Sequence, residues 1–185
     1  MGFRWLGACT SNSCTRNWRA ACCLHEERDR MNKVDVRAKL AELGLELPVA
    51  ALPVAAYVPA VRTGNLVFTA GQLPLVDGQM AGVGKVNGEV TTERAKGLAQ
   101  ICALNALAAV QLVADVNKIT KVVRVVGYVN GVPGFVNHPA VVNGASELFL
   151  AIWGDGAKHA RSAVGIAELP LNSPVEIELT VEITD

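Results

Sequence analysis

Four absences in this chain of 185 residues each remove a class of function. Neither charge is in excess: 17 lysines and arginines face 17 acids, so there is no basic field for a polyanion, and nucleic-acid binding is disfavoured as a main role. The longest apolar stretch, 101–114, is broken by Asn105 and Gln111 and falls short of the roughly 20 residues that span a bilayer. A soluble chain with no membrane partner is expected. Beyond residue 23 the only cysteine is Cys102, which excludes a disulfide framework for the domain and reads as a small packed hydrophobe. Finally, the familiar nucleotide and hydrolase motifs fail. Gly82-Val83-Gly84-Lys85 lacks the spacing and the following Ser or Thr of a phosphate-binding loop, glycine is missing at 87 for a dinucleotide turn, and no Gly-x-Ser-x-Gly elbow frames Ser146.

The first 30 residues differ from the rest. Cys9, Cys14, Cys22, Cys23 and His25 do not repeat a C-x-x-C spacing, so a zinc site is disfavoured and no metal is expected. Five arginines there would suit a transit peptide, but Glu26, Glu27 and Asp29 do not, and a secretory apolar core is lacking. Residues 1–30 are read as an unstructured N-terminal extension and 31–185 as a single domain, with a cytoplasmic location expected and organellar targeting by 1–30 as the alternative. A hydrophobic content of 51% is high for a domain this small, which suggests that some apolar surface meets another copy.

Local patterns then give the elements. Val36, Leu40 and Leu43 recur at helical spacing before Gly44, predicting a short helix over 32–43. Arg62-Thr63-Gly64-Asn65 marks the turn of a hairpin whose second strand is 66–70. Thr91 caps a long helix reaching about Val116, with Leu98, Ile101, Cys102, Leu112, Val113 and Val116 as its core stripe. The β-branched run 121–129 is a strand, and Pro139 opens a helix that ends at Gly154-Asp155-Gly156. The order of hairpin, helix, strand, helix, hairpin implies an α+β domain with a mixed sheet and both long helices on one face.

The last 26 residues are the most informative for function. In β-strand register Val175, Ile177, Leu179, Val181 and Ile183 share one face, while Glu176, Glu178, Thr180 and Glu182 share the other. Arg161 opens the preceding strand, and a closing hairpin through 169–174 is expected to bring it near Glu176 across the sheet. That pairing reads either as a cross-strand ion pair or as a carboxylate-binding cation beside a carboxylate base. His159 is read as a strand-end surface residue, with pocket neighbour as the alternative.

From about Leu45 onward the chain resembles the Rid proteins, the reactive-intermediate deaminases also called the YjgF family. The residues that carry the resemblance are Tyr57, the run 63–74 (TGNLVFTAGQLP), Phe135, Val142-Asn143, Ala160-Arg161-Ser162-Ala163-Val164, Leu169-Pro170 and 175–178 (VEIE). The resemblance implies a chorismate-mutase-like fold and a homotrimer whose sheets form a central barrel, with pockets between subunits. It also implies an enamine/imine deaminase that hydrolyses 2-imino acids to 2-oxo acids and ammonia without a cofactor. Arg161 would grip the substrate carboxylate and Glu176 would activate water, with Tyr57, Gly71, Asn143 and Ala163 forming the substrate wall. Ala163 stands where the family commonly has cysteine and Ala70 where it often has serine, so residues 71 and 163 would offer backbone contacts. The alternatives are a non-catalytic trimeric binder of small carboxylates and, from the family's older label, an endoribonuclease or translation inhibitor.

Overall fold

A computed structural model describes residue 31, residues 34–50 and residues 56–184. The cysteine and histidine cluster of the N-terminal extension lies outside the described residues. Among the described residues a five-stranded sheet is covered by the helices α2 (Thr92–Gln111) and α3 (His138–Trp153), with the short helix α1 (Val36–Glu42) beside α3. The strands are β1 (Ala60–Thr63), β2 (Leu66–Thr69), β5 (Ile119–Val129), β6 (Ala160–Gly165) and β7 (Val175–Ile183), in the order β1-β2-β7-β5-β6. The short strands β3 (Leu75–Val76) and β4 (Gln79–Met80) form a separate hairpin that turns at Asp77-Gly78. No helix among the described residues is long and apolar enough to cross a membrane.

One expectation fails here. β6 and β7 do not form a hairpin, because β5 lies between them, parallel to β6 and antiparallel to β7. β5 and β6 are joined through α3, and a crossover helix makes its flanking strands parallel neighbours. The link 166–174 then carries β7 to the other side of β5, turning through the left-handed residues Leu171 and Asn172 (φ 55° and 53°). β5 suits the centre of the sheet: Val122, Val125 and Val129 are fully buried beneath the helices, and Val126 on the opposite face is nearly so.

The helices follow their local signals. Thr91 accepts a hydrogen bond from the Arg94 amide and so caps α2. α2 stops at Gln111, short of Val116, because Asp115 caps a separate 3-10 turn over Val116–Lys118. Leu112 is consequently exposed, while Leu98, Cys102, Leu104, Leu107 and Val110 enter the core. α3 lies close to both of its supports through glycine. A Cβ on Gly127 of β5 would strike the Val142 side chain, and one on Gly144 would strike the Lys96 backbone of α2. The alternation of β7 is as the sequence implies, with 175, 177, 179, 181 and 183 buried and 176, 178, 180 and 182 half-buried.

The Gly82–Lys85 segment also has a structural role. The Lys85 ammonium donates to Asn130 Oδ1 and the Ala167 carbonyl, both at 2.7 Å, and pairs with Glu168 at 3.1 Å. It ties three segments together.

Candidate functional site

The sheet ladder sorts the expected site residues into two groups. Arg161 stands level with Val125 and Leu179, and Ala163 with Gly127 and Ile177. Those neighbours point at the helices, so Arg161 and Ala163 do too. Glu176 stands level with Tyr128 and Val164, one position out of phase, and belongs to the opposite face. Three residue steps along the ladder and two strand spacings across it amount to about 10 Å in each direction. The expected cross-strand approach of Arg161 to Glu176 therefore does not occur within one chain. An intervening strand and a change of face separate them.

The first group gathers around the edge strand β6. Arg161 Nη1 donates to Asn143 Oδ1 at 2.8 Å and to Ser146 Oγ at 3.1 Å, both on α3. Asn143 and Ser146 are three residues apart and so share one helix face. Ser146 Oγ is also 3.0 Å from His159 Nε2, while His159 Nδ1 is 2.7 Å from the Ala157 carbonyl. Burial, chiefly, lowers the His159 pKa from its usual 6.5, and the Arg161 charge adds to this, although the Ala157 bond opposes it. Ser146, Leu150, Lys158, His159 and Arg161 line a recess of about 220 Å³. Ser146 and His159 were legible as neighbours of this group only through their spacing, i+3 from Asn143 and two residues before Arg161. The sequence offered His159 as a pocket neighbour only as the alternative to a surface residue, and it did not place Ser146 in the site.

The second group lies at the far end of the β2–β7 pair. Gln72 and Ile177 exchange both backbone hydrogen bonds, at 2.8 and 3.0 Å, which sets Glu176 against Gly71. A Cβ at position 71 would collide with the Glu176 carboxylate, so the absence of a side chain at 71 makes the room that this carboxylate occupies. Ala70 donates to the Pro59 carbonyl, so the chain leaving the exposed Tyr57 runs beside residues 70–71. Burial first, and then the neighbouring Glu178 carboxylate, raise the Glu176 pKa above its usual 4.5. Glu178 is engaged with Tyr128, whose own pKa is raised by burial and by both glutamates. Among the described residues no group of three His, Cys, Asp or Glu side chains converges as a metal site would require.

Comparison with known proteins agrees with this architecture. Residues 37–183 match the family described as "YjgF/chorismate_mutase-like, putative endoribonuclease". Protein TCP17 of Trypanosoma cruzi is 36% identical over 152 residues, which cover 81% of this chain and 95% of the relative. A 2-iminobutanoate/2-iminopropanoate deaminase of Dermatophagoides farinae is 32% identical over 143 residues, covering 75% and 94%. The crystal structure of Atu1372 from Agrobacterium tumefaciens, a protein of unknown function, superposes with a TM-score of 0.74 at 40% identity, covering 89% of this chain and 99% of that one. With a family match over most of its length, relatives above 30% identity and the α+β mixed sheet in place, this chain belongs to the YjgF family.

Proposed function

We propose that this protein is an enamine/imine deaminase that hydrolyses 2-imino acids at a site shared between copies in a homotrimer. The observation that carries the reading is the separation of Arg161 and Glu176 onto opposite faces of one sheet. A cation suited to a carboxylate and a carboxylate suited to base catalysis are both present, and one chain cannot bring them to the same small ligand. A neighbouring copy that docks its Glu176, Gly71 and Tyr57 face against the Arg161, Asn143 and Ala163 edge would complete the pocket. The recess beside Arg161 supports this, because about 220 Å³ is less than the roughly 300–1,000 Å³ of a complete small-molecule site. The deaminase relative from Dermatophagoides farinae supplies the reaction class.

The chemistry needs few groups. Arg161 receives the substrate carboxylate by charge-assisted hydrogen bonds from its guanidinium. Glu176 takes a proton from water as the oxygen adds to the imine carbon, and the C=N π electrons move to nitrogen. The proton held on Glu176 passes to that nitrogen. Glu176 then takes the hydroxyl proton of the tetrahedral adduct and passes it to the amine nitrogen, so that as C–O becomes C=O the C–N bond breaks, releasing ammonia and leaving the 2-oxo acid. A raised Glu176 pKa makes the carboxylate a stronger base toward the attacking water. No step calls for a cofactor. Glu176 rather than Glu178 takes this role because Glu178 is engaged with Tyr128, whereas the Glu176 carboxylate lies against the bare backbone of Gly71.

The test is ammonia release from 2-iminopropionate or 2-iminobutyrate generated in situ. The wild-type protein should accelerate it, Arg161→Ala should raise KM and lower kcat/KM, and Glu176→Gln should lower kcat while retaining 2-oxo acid binding. Absence of acceleration by the wild type, or full activity in Arg161→Ala, refutes the reading. Binding without turnover, indifferent to Glu176→Gln, would leave a carboxylate-binding protein in its place.

A further inference from the structure

We propose that Ser146 and His159 act as a positioning pair for Arg161, fixing which edge of its guanidinium is offered to a carboxylate. This rests on the reading above that Arg161 is the carboxylate receptor. The argument begins with donor and acceptor roles. His159 Nδ1 lies 2.7 Å from a carbonyl oxygen, an acceptor only, so Nδ1 carries the proton. In the neutral ring Nε2 is then an acceptor, and the Ser146 hydroxyl at 3.0 Å donates to it. With its proton committed, Ser146 Oγ presents its lone pairs to Arg161 Nη1 at 3.1 Å. Asn143 Oδ1 takes the other Nη1 hydrogen at 2.8 Å.

Both hydrogens of Nη1 are thus held by α3. The three remaining N–H groups, on Nε and Nη2, include the fork that meets a carboxylate bidentately. The ring itself is held by its surroundings. Phe149 meets it edge-on with centroids 6.1 Å apart, and burial favours the neutral form that the chain of donors requires. The charged groups around it are Arg161 and, at the mouth of the recess, Lys158, which pairs with Asp155 at 2.9 Å. Arg124 of the adjacent strand stands level with Ala160 and therefore belongs to the other face of the sheet. Among the described residues no acidic side chain acts on the ring to stabilise its protonated form.

Calorimetric titration with 2-oxobutyrate tests the assignment, with thermal melts confirming that each variant is folded. His159→Leu should weaken binding about threefold to tenfold, the range for one neutral hydrogen bond. Ser146→Ala should do the same, and the double variant should be no weaker than either single one, because both break one chain. His159→Gln places an amide oxygen near the Nε2 position and should recover binding to within about threefold of wild type. The proposal is overturned if His159→Leu binds as the wild type does, if the two losses multiply, or if Gln rescues no better than Leu. Its failure is distinct from failure of the deaminase reading. Wild type that binds 2-oxobutyrate yet releases no ammonia from 2-iminobutyrate sinks the reaction and leaves the pair testable, whereas wild type that binds no 2-oxo acid overturns both.

Discussion

Replacing Gly144 by alanine tests the packing that holds the Arg161 half of the site. Gly144 sits where α3 crosses α2, and a methyl group there would be 2.9 Å from the Lys96 carbonyl carbon and 3.2 Å from the Gln100 nitrogen, closer still to the Lys96 oxygen. Carbon atoms at rest lie about 3.5–4.0 Å apart, so the helices must separate by on the order of 1 Å. The obstacle is backbone, and no rotamer change relieves it. Overpacking costs about 1–3 kcal/mol, and this geometry belongs at the upper end. Against that, alanine in a helix interior gains about 1 kcal/mol over glycine. The net expectation is a loss of about 2 kcal/mol, or a Tm lower by about 4–8 °C for a chain of this size. Gly97, on α2 beside the same contact, is the internal control because nothing lies within 4 Å of an added Cβ. Gly97→Ala should gain up to about 1 kcal/mol and raise Tm by about 2–4 °C. Urea unfolding followed by circular dichroism, at one protein concentration for all variants, reads both as shifts in midpoint at constant m. Because Asn143 precedes Gly144, Gly144→Ala should also weaken 2-oxo acid binding, and Gly97→Ala should not. A neutral or stabilising Gly144→Ala, or the same sign for both variants, refutes the packing argument.

The pH profile of kcat/KM should rise through an acid limb lying above 4.5, because the raised pKa of Glu176 delays formation of the base, and Glu178→Gln should move that limb down by removing a like charge. For stability the sign is the reverse of an ordinary paired carboxylate. A raised folded-state pKa means the native protein holds the proton that the unfolded chain has lost. Stability therefore falls as pH rises from about 4.5 to the folded value, and Glu176→Gln should raise Tm at pH 7 while lowering turnover. A Glu176→Gln variant that loses both would place Glu176 among structural groups. Lys85→Met should cost about 1–3 kcal/mol, because Asn130 is fully buried and its Oδ1 would lose a donor. A Tm unchanged in that variant would show that the Lys85 tie contributes nothing.

Periodicity made much of the fold legible. Val175 to Ile183 alternates strictly, so the buried face of β7 was fixed before any partner was known. Thr91, Pro139 and Gly154 marked helix ends through local backbone chemistry, and these signals act over a few residues. The 3-10 turn at Asp115 and the β3–β4 hairpin at Asp77-Gly78 also had local signals, Asp and Asp-Gly, but apolar residues continuing past Gln111 and the surrounding glycines outweighed them. Of the site, Arg161 and Glu176 were singled out from the sequence, and Asn143 came with the resemblance. Ser146 and His159 became part of it only through contacts between residues 13 and 15 positions apart.

Which residues face the core was decided by the sequence, because side-chain alternation on a strand is a property of the strand alone. Which strands are neighbours was decided only by the tertiary structure. The chain near 170 looked like a hairpin turn, yet α3 makes β5 and β6 parallel neighbours and leaves the far side of β5 for β7. That insertion parts Arg161 from Glu176 and turns an apparent ion pair into two half-sites on opposite faces. The insertion depends on how a central strand best buries both of its surfaces, and no local pattern encodes that.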